Sequence, residues 1–288
     1  MVNIRQWASV ICGAIVAGLL LSGLVYVSGD WRGVGDRTQE DATDTGSDTL
    51  SPQPSSSTEF IPVEVKVPIL VYHYIREPQF GPSDSDRQYE VTPVRFAEQL
   101  AYLKREGFTT VHLADIVAAF SVGKPLPEKP VIITFDDGRD NQYTEAFPLL
   151  EKFGFTATFF VFTNAMDRPG YMTWDQLAEL RDAGMEIGSH GIYHPYLTKL
   201  PDEEMQEELV GSRAKLQEML GVSGDVIAYP FGLHDARVRT AAVEAGYIAG
   251  RGLDHVAVFT ADDMMALGSY IAVEDVRWFR KIVAGEAK

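Results

Sequence analysis

The sequence predicts a parallel α/β protein, a closed or nearly closed barrel of about seven strands, with an open doubly wound sheet as the alternative. Short, almost continuously apolar runs recur from Val67 onward, as strands covered on both faces require. Amphipathic segments with helix-start and helix-stop residues fall between these runs, and strand–helix alternation marks a parallel sheet. Chemistry-bearing residues then cluster where the apolar runs end, the edge at which such sheets bind ligands.

The first element lies outside the barrel. Ala8 to Val27 is an almost unbroken apolar run preceded by Arg5, long enough at about 20 residues to cross a ~30 Å hydrocarbon core. No clear small-residue cleavage site appears, and Cys12 comes too early in the run for a lipoprotein cysteine. Residues 1–28 are therefore expected to be a signal anchor, a single transmembrane helix with the remainder outside the cytoplasm, the alternative being a cleaved signal peptide. Residues 29–60 are rich in Ser, Thr, Asp, Gly and Pro, with seven acidic residues against two arginines. Such a stretch buries too little apolar surface to fold and is expected to be a flexible, disordered linker. Residues 61–288 form the folded domain.

Within that domain the expected strands are Val67–Tyr74, Val131–Phe135, Ala157–Phe162, Met185–Ser189, Val226–Tyr229 and Tyr247–Ala249, with Val256–Thr260 weaker. Thr92-Pro93 opens a helix whose stripe is Phe96, Leu100 and Leu103, stopped by Gly107. Thr173 and Gln176 fit a capping box ahead of Leu177 and Leu180. Met205, Leu209, Leu216 and Leu220 line a longer helix ending at Gly221, with Asp202, Glu203 and Glu204 in its first turn.

Charge and cysteine usage narrow the function. The chain has 288 residues and a formal net charge of -16, which disfavours nucleic-acid binding. Its single cysteine, Cys12, allows neither an intrachain disulfide nor a cysteine zinc site. A metal would have to be held by histidines and carboxylates.

Four motifs offer such groups. ThrPheAspAspGly, residues 134–138, follows an apolar strand. Two adjacent bare carboxylates are costly to bury, and a divalent cation relieves that cost. Neighbouring side chains point apart, so one Asp can ligate while the other acts as a base. By itself the same pair also reads as a cap and a turn. SerHisGlyIleTyrHisPro, residues 189–195, places His190 and His194 four apart, a spacing that lets both rings reach one ion. IleAlaTyrProPheGly, residues 227–232, is either a plain strand and turn or a groove wall with an oxyanion-binding amide. ValTyrHisTyrIle, residues 71–75, puts His73 at a strand end as a candidate general acid.

Taken together, ThrPheAspAspGly followed about 50 residues later by SerHisGlyIleTyrHisPro resembles the polysaccharide deacetylase family (NodB-like, carbohydrate esterase family 4). AlaTyrProPheGly and ProIleLeuValTyrHisTyrIle look like its biofilm poly-N-acetylglucosamine deacetylases. The resemblance implies a distorted (β/α) barrel, a divalent metal (Zn, with Ni or Co as alternatives) on Asp137, His190 and His194, and Asp136 as catalytic base. It implies His73 as general acid, in place of the Leu-x-His motif found late in most members and absent here. The Arg that opens the third motif in many members is Ala228, which leaves the usual Arg–Asp pair without its arginine. The implied reaction is removal of N-acetyl groups from an amino-sugar polysaccharide. A protonated His73 would serve the leaving amine, and the amide of Tyr229 or a neighbour would hold the oxyanion. Trp174, Tyr193, Tyr196 and Phe231 are candidates to stack on sugars. Peptidoglycan or chitooligosaccharide deacetylation is an alternative, and a glycan-binding protein on the same fold is a rival of another class.

Overall fold

The computed structural model describes residues 61–78 and 87–287. Both the apolar run of residues 8–27 and the acidic linker lie outside the described residues, among which no helix is long and apolar enough to cross a membrane.

Seven strands form one all-parallel curled sheet, a half-barrel: Ile69–Tyr72 (β1), Pro130–Phe135 (β2), Thr158–Val161 (β3), Glu186–Ser189 (β4), Val226–Ala228 (β5), Ala249–Arg251 (β6) and Tyr270–Ile271 (β7). Their spatial order is β6-β5-β4-β3-β2-β1-β7, with Thr109–Thr110 adding a short parallel pairing at the start of β2. The edge strands β6 and β7 do not pair with each other. Instead the chain between them runs beside β6, where Gly250 N–H donates to Met264 and Gly252 N–H to Leu267, and then passes into β7.

The helices are Pro93–Arg105 (α1), Leu113–Val122 (α2), Phe147–Phe153 (α3), Trp174–Asp182 (α4), Asp202–Leu220 (α5), Ala236–Glu244 (α6) and Val276–Ala284 (α7). Their local signals act as read. The Thr92 hydroxyl accepts from Arg95 N–H to cap α1, Thr173 and Gln176 close a capping box on α4, and Gly221 ends α5 in a left-handed conformation.

Strand alternation sorts the core into layers. Leu70, Tyr72, Ile133, Phe135, Phe159 and Val161 face the helices, whereas Ile69, Ile132, Phe160, Val226, Ala228 and Ala249 fill the concave side together with Leu113, Ile116 and Phe120 of α2. Ile227 joins α5 and α6 in a third cluster. Counting by twos from the concave residues of β1, β2, β4 and β6 reaches His73, Asp136, His190 and Arg251 at or just beyond the strand ends.

Three expectations need correction. Val256–Thr260 contributes only Val258–Phe259, which pairs antiparallel with Val65–Lys66 off the main sheet. The seventh strand is instead Tyr270–Ile271, two residues long and too short to show a period. The expected strand Tyr247–Ala249 lies two residues later, at Ala249–Arg251. Gly250 and Arg251 look like a strand end, but a Cβ at position 250 would lie 2.3 Å from the Tyr229 hydroxyl oxygen. Glycine stands there because that phenol packs on the strand.

Candidate active site

At the end of β2 the chain must turn sharply. Asp137 takes φ 74° and Gly138 φ 73°, and a Cβ on Gly138 would press within 3 Å of Met166 and Val161. That turn sends the two aspartates to different places. Asp136 stays on the concave parity and is 3% exposed, while Asp137 rises to the rim. Beyond the turn, buried Gln142 ties two strand ends together, its amide donating to the carbonyls of Asp136 (2.5 Å) and His73 (2.8 Å).

The histidine loop is held from outside the barrel. Glu208 of α5 accepts the Ile192 N–H at 2.6 Å and the Tyr193 N–H at 3.1 Å, fixing the peptide between His190 and His194. His190 is 2% exposed, and its Nδ1 lies 2.7 Å from the Ala228 carbonyl. A proton on Nδ1 makes that bond and turns Nε2 inward as a lone-pair donor. His194 adopts φ 60° to bring its own Nε2 within 3.1 Å of that atom.

Asp137 completes the set, its Oδ1 lying 3.9 Å from His190 Nε2 and 3.7 Å from His194 Nε2. Donors placed ~2.0–2.1 Å from one tetrahedral ion stand about 3.3 Å apart, and these three, 3.1, 3.7 and 3.9 Å apart, come close enough to that spacing for small side-chain shifts to seat a divalent metal. Burial drives both imidazoles toward the neutral form that ligation needs, with His194 pushed down to about 4. Among the described residues this is the one group of three or more such side chains that could hold an ion.

Asp136 has a partner that the motifs did not reveal. Arg251 is fully buried and pairs through Nη2 with Asp136 Oδ1. Burial works to raise the Asp136 pKa, but the charges of Arg251, His190 and His73 outweigh it and hold the carboxyl below its ordinary value. Arg251 is the register partner of Ala228 on the neighbouring strand. The arginine expected at the third motif is therefore replaced by one carried a strand further on. A cation two residues beyond concave-facing Ala249 was the signal available in sequence. Glu208 had one too, an acid three residues after Met205 on the apolar face of its helix.

His73 sits at the end of β1 with Nε2 3.9 Å from Asp136 Oδ2, its ring against that of Tyr89. Burial lowers its pKa, opposed by the two aspartates. The mouth encloses about 250 Å³ lined by His73, Tyr74, Tyr89, Arg139, Phe231 and Leu253 as well as the aspartates and histidines.

Two expectations change here. The Tyr229 N–H is already donated to the Arg251 carbonyl at 3.0 Å, and its hydroxyl to Met265, so Tyr229 is a buried strut and not an oxyanion donor. Trp174 begins α4 and packs on the core behind the sheet, outside the lining of the mouth. Tyr196 and Phe231 stack face to face at 3.9 Å on the rim and stay 40% and 43% exposed, while Tyr193 is 66% exposed. Phe231 holds φ 60°, a strained value for an aromatic residue and one that clusters at functional sites.

Residues 123–250, which hold Asp136, Asp137, His190 and His194, match the family described as Polysaccharide deacetylase. The chain is 30% identical to the Bacillus subtilis deacetylase homologue YxkH over 185 residues, 64% of this chain and 63% of that one. It is 38% identical to the poly-β-1,6-N-acetyl-D-glucosamine N-deacetylase of Escherichia coli over 109 residues, 32% of this chain and 16% of that one. The structure of the Streptococcus pyogenes deacetylase PplD in complex with acetate superposes with a TM-score of 0.66 at 26% identity, covering 73% of this chain and 94% of that one. The chain thus spans less than two thirds of the length of both of these relatives from Bacillus subtilis and Escherichia coli.

Proposed function

We propose that the protein is a metal-dependent hydrolase that removes N-acetyl groups from an amino-sugar polysaccharide, with a poly-N-acetylglucosamine-like polymer favoured. The observation that carries this reading is the pairing of Asp137, His190 and His194 around one point with an Arg251-held, ionised Asp136 beside them. The name of the Escherichia coli relative supports the choice of polymer. The proposal extends to location: the apolar run of residues 8–27 would tether the domain outside the cytoplasm as a single-pass membrane protein.

A divalent ion on that triad, Zn²⁺ by its ligand chemistry, would supply Lewis-acid activation of the acetyl carbonyl and of a water. Everything else falls to the chain's own groups. Asp136, kept ionised by Arg251, accepts the proton of the attacking water. Burial lowers the pKa of His73 against the pull of both aspartates, which favours the neutral imidazole over the protonated acid expected from sequence. Its Nε2 stands 3.9 Å from Asp136 Oδ2, so it receives the proton from Asp136 on closer approach or through one water, and delivers it to the sugar nitrogen as the C–N bond breaks, releasing acetate and a free amine. With the Tyr229 amide engaged, stabilisation of the oxyanion passes to a neighbour in the same turn, the amide of Phe231. The Tyr196–Phe231 stack presents an aromatic face on which the sugar chain can lie. A mouth of about 250 Å³ takes one acetamido-bearing sugar and leaves the rest of the polymer on the rim.

The test is acetate release by the purified protein from β-1,6-linked N-acetylglucosamine oligomers, chitooligosaccharides and peptidoglycan, before and after chelation. Release that stops with chelator and returns with Zn²⁺ or Co²⁺ is expected. No release from any of these substrates with either metal overturns the reading in favour of glycan binding.

A further inference from the structure

Arg139 follows the AspAspGly turn directly and plays no part in the reaction described above. Its side chain is 23% exposed and lines the mouth. Its guanidinium carbon lies 4.9 Å from the centroid of the Tyr74 ring and 4.5 Å from that of Tyr171, and a backbone bridge joins Arg139 to Tyr171. Two aromatic faces so placed restrain a planar cation without neutralising it.

The carboxylate that this cation meets is Asp137. The two oxygens of Asp137 are divided between partners. Oδ1 faces both histidine Nε2 atoms, and Oδ2 lies 3.3 Å from Arg139 Nη2. A carboxylate free to turn can offer a metal both oxygens and occupy two coordination positions. One whose second oxygen is held by a guanidinium offers a single oxygen.

We infer that Arg139 is a positioning residue for the metal centre: clamped between Tyr74 and Tyr171, it holds Asp137 Oδ2 so that Asp137 ligates through Oδ1 alone and leaves coordination positions open for substrate and water. The inference rests on the metal reading above and adds to it a residue outside the triad. Groups that hold a ligand in place commonly change metal affinity or activity ~10–100-fold when removed.

The experiment is a Co²⁺ titration of the metal-free full chain, followed by the visible absorption of the bound ion, which weakens as coordination number rises. Arg139→Gln is expected to lower the absorption per Co²⁺, as the second Asp137 oxygen joins, and to weaken binding about tenfold. Arg139→Lys should restore most of both. Tyr171→Leu, which removes one face of the clamp, should fall between wild type and Arg139→Gln. It also serves as the deciding variant if Arg139→Gln does not fold by thermal melting. Wild-type Co²⁺ binding with an unchanged spectrum and an affinity within twofold in Arg139→Gln, or in Tyr171→Leu where that variant decides, overturns the inference and leaves the metal reading standing. Failure of the wild type to bind Co²⁺ overturns both.

Discussion

Asp136 and Glu186 sit inside the same half-barrel at opposite ends of its strands, and the more deeply buried of the two is the more readily ionised. Asp136, at the mouth, is 3% exposed and has a lowered pKa. Glu186 opens β4 at the other end and keeps some contact with solvent, yet burial raises its pKa. Glu186 accepts from the Thr158 hydroxyl at 2.7 Å and from the Leu113 N–H at 3.3 Å beside the start of α2, and these donors together with the charge of His112 do not outweigh its burial. Asp136 has a full guanidinium. Burial penalises both anions, and the presence of a fixed cation decides which way each carboxyl goes. A fixed cation keeps the buried Asp136 ionised, the form in which it could accept a proton, whereas Glu186 is drawn toward the neutral acid.

The most severe way to break the contrast is to remove the base. Asp136→Asn should lower turnover ~10²–10⁴-fold while Co²⁺ binding by the triad persists, read by acetate release and metal titration on the same preparation. Next comes Arg251→Met, which leaves Asp136 as a buried anion without its partner. It should cost about 3–5 kcal/mol of stability at pH 7, measured by urea unfolding.

The pH dependence of that cost has a definite sign. Asp136 has a depressed folded pKa, so its pairing stabilises the protein fully above the unfolded value of about 3.9. The contribution disappears as pH falls through the lower folded value. The destabilisation by Arg251→Met should therefore shrink as the medium is acidified below about pH 4. Further out, Glu208→Ala leaves the Ile192 and Tyr193 amides unpaired and frees the histidine loop. A loss of about tenfold in Co²⁺ affinity is expected. Smallest of all is Glu186→Gln, expected to change stability by about 1 kcal/mol or less near neutral pH. Its sign is opposite to that of the mouth: a raised folded pKa means that the ionised form burdens the fold once pH exceeds the unfolded value of about 4.3. The variant should gain on wild type as pH rises through that window.

Much of the mouth was legible because it is written in contiguous motifs. The AspAspGly turn and the two histidines four apart announce their chemistry in short stretches, and the apolar runs place them at strand ends. Arg251 was not legible in the same way. Its role depends on pairing between Ala249–Arg251 and Val226–Ala228, a register that no local pattern carries. Tyr229 misled for the complementary reason. An amide at a strand end looks available until the neighbouring strand is known to accept it. The two-residue strand β7 carries too little sequence to show periodicity, and the chain that closes toward it is irregular.

Asp136 and Arg251 lie 115 residues apart in the chain, whereas the three side chains that could hold a metal all fall within residues 137–194. During synthesis these three side chains emerge well before the guanidinium that keeps Asp136 ionised. A chain ending before β6 would carry these three residues, but its Asp136 would lack the cation that holds its pKa down. Arg251 is thus the residue, far along the chain from the AspAspGly turn, on which the ionisation of the mouth waits.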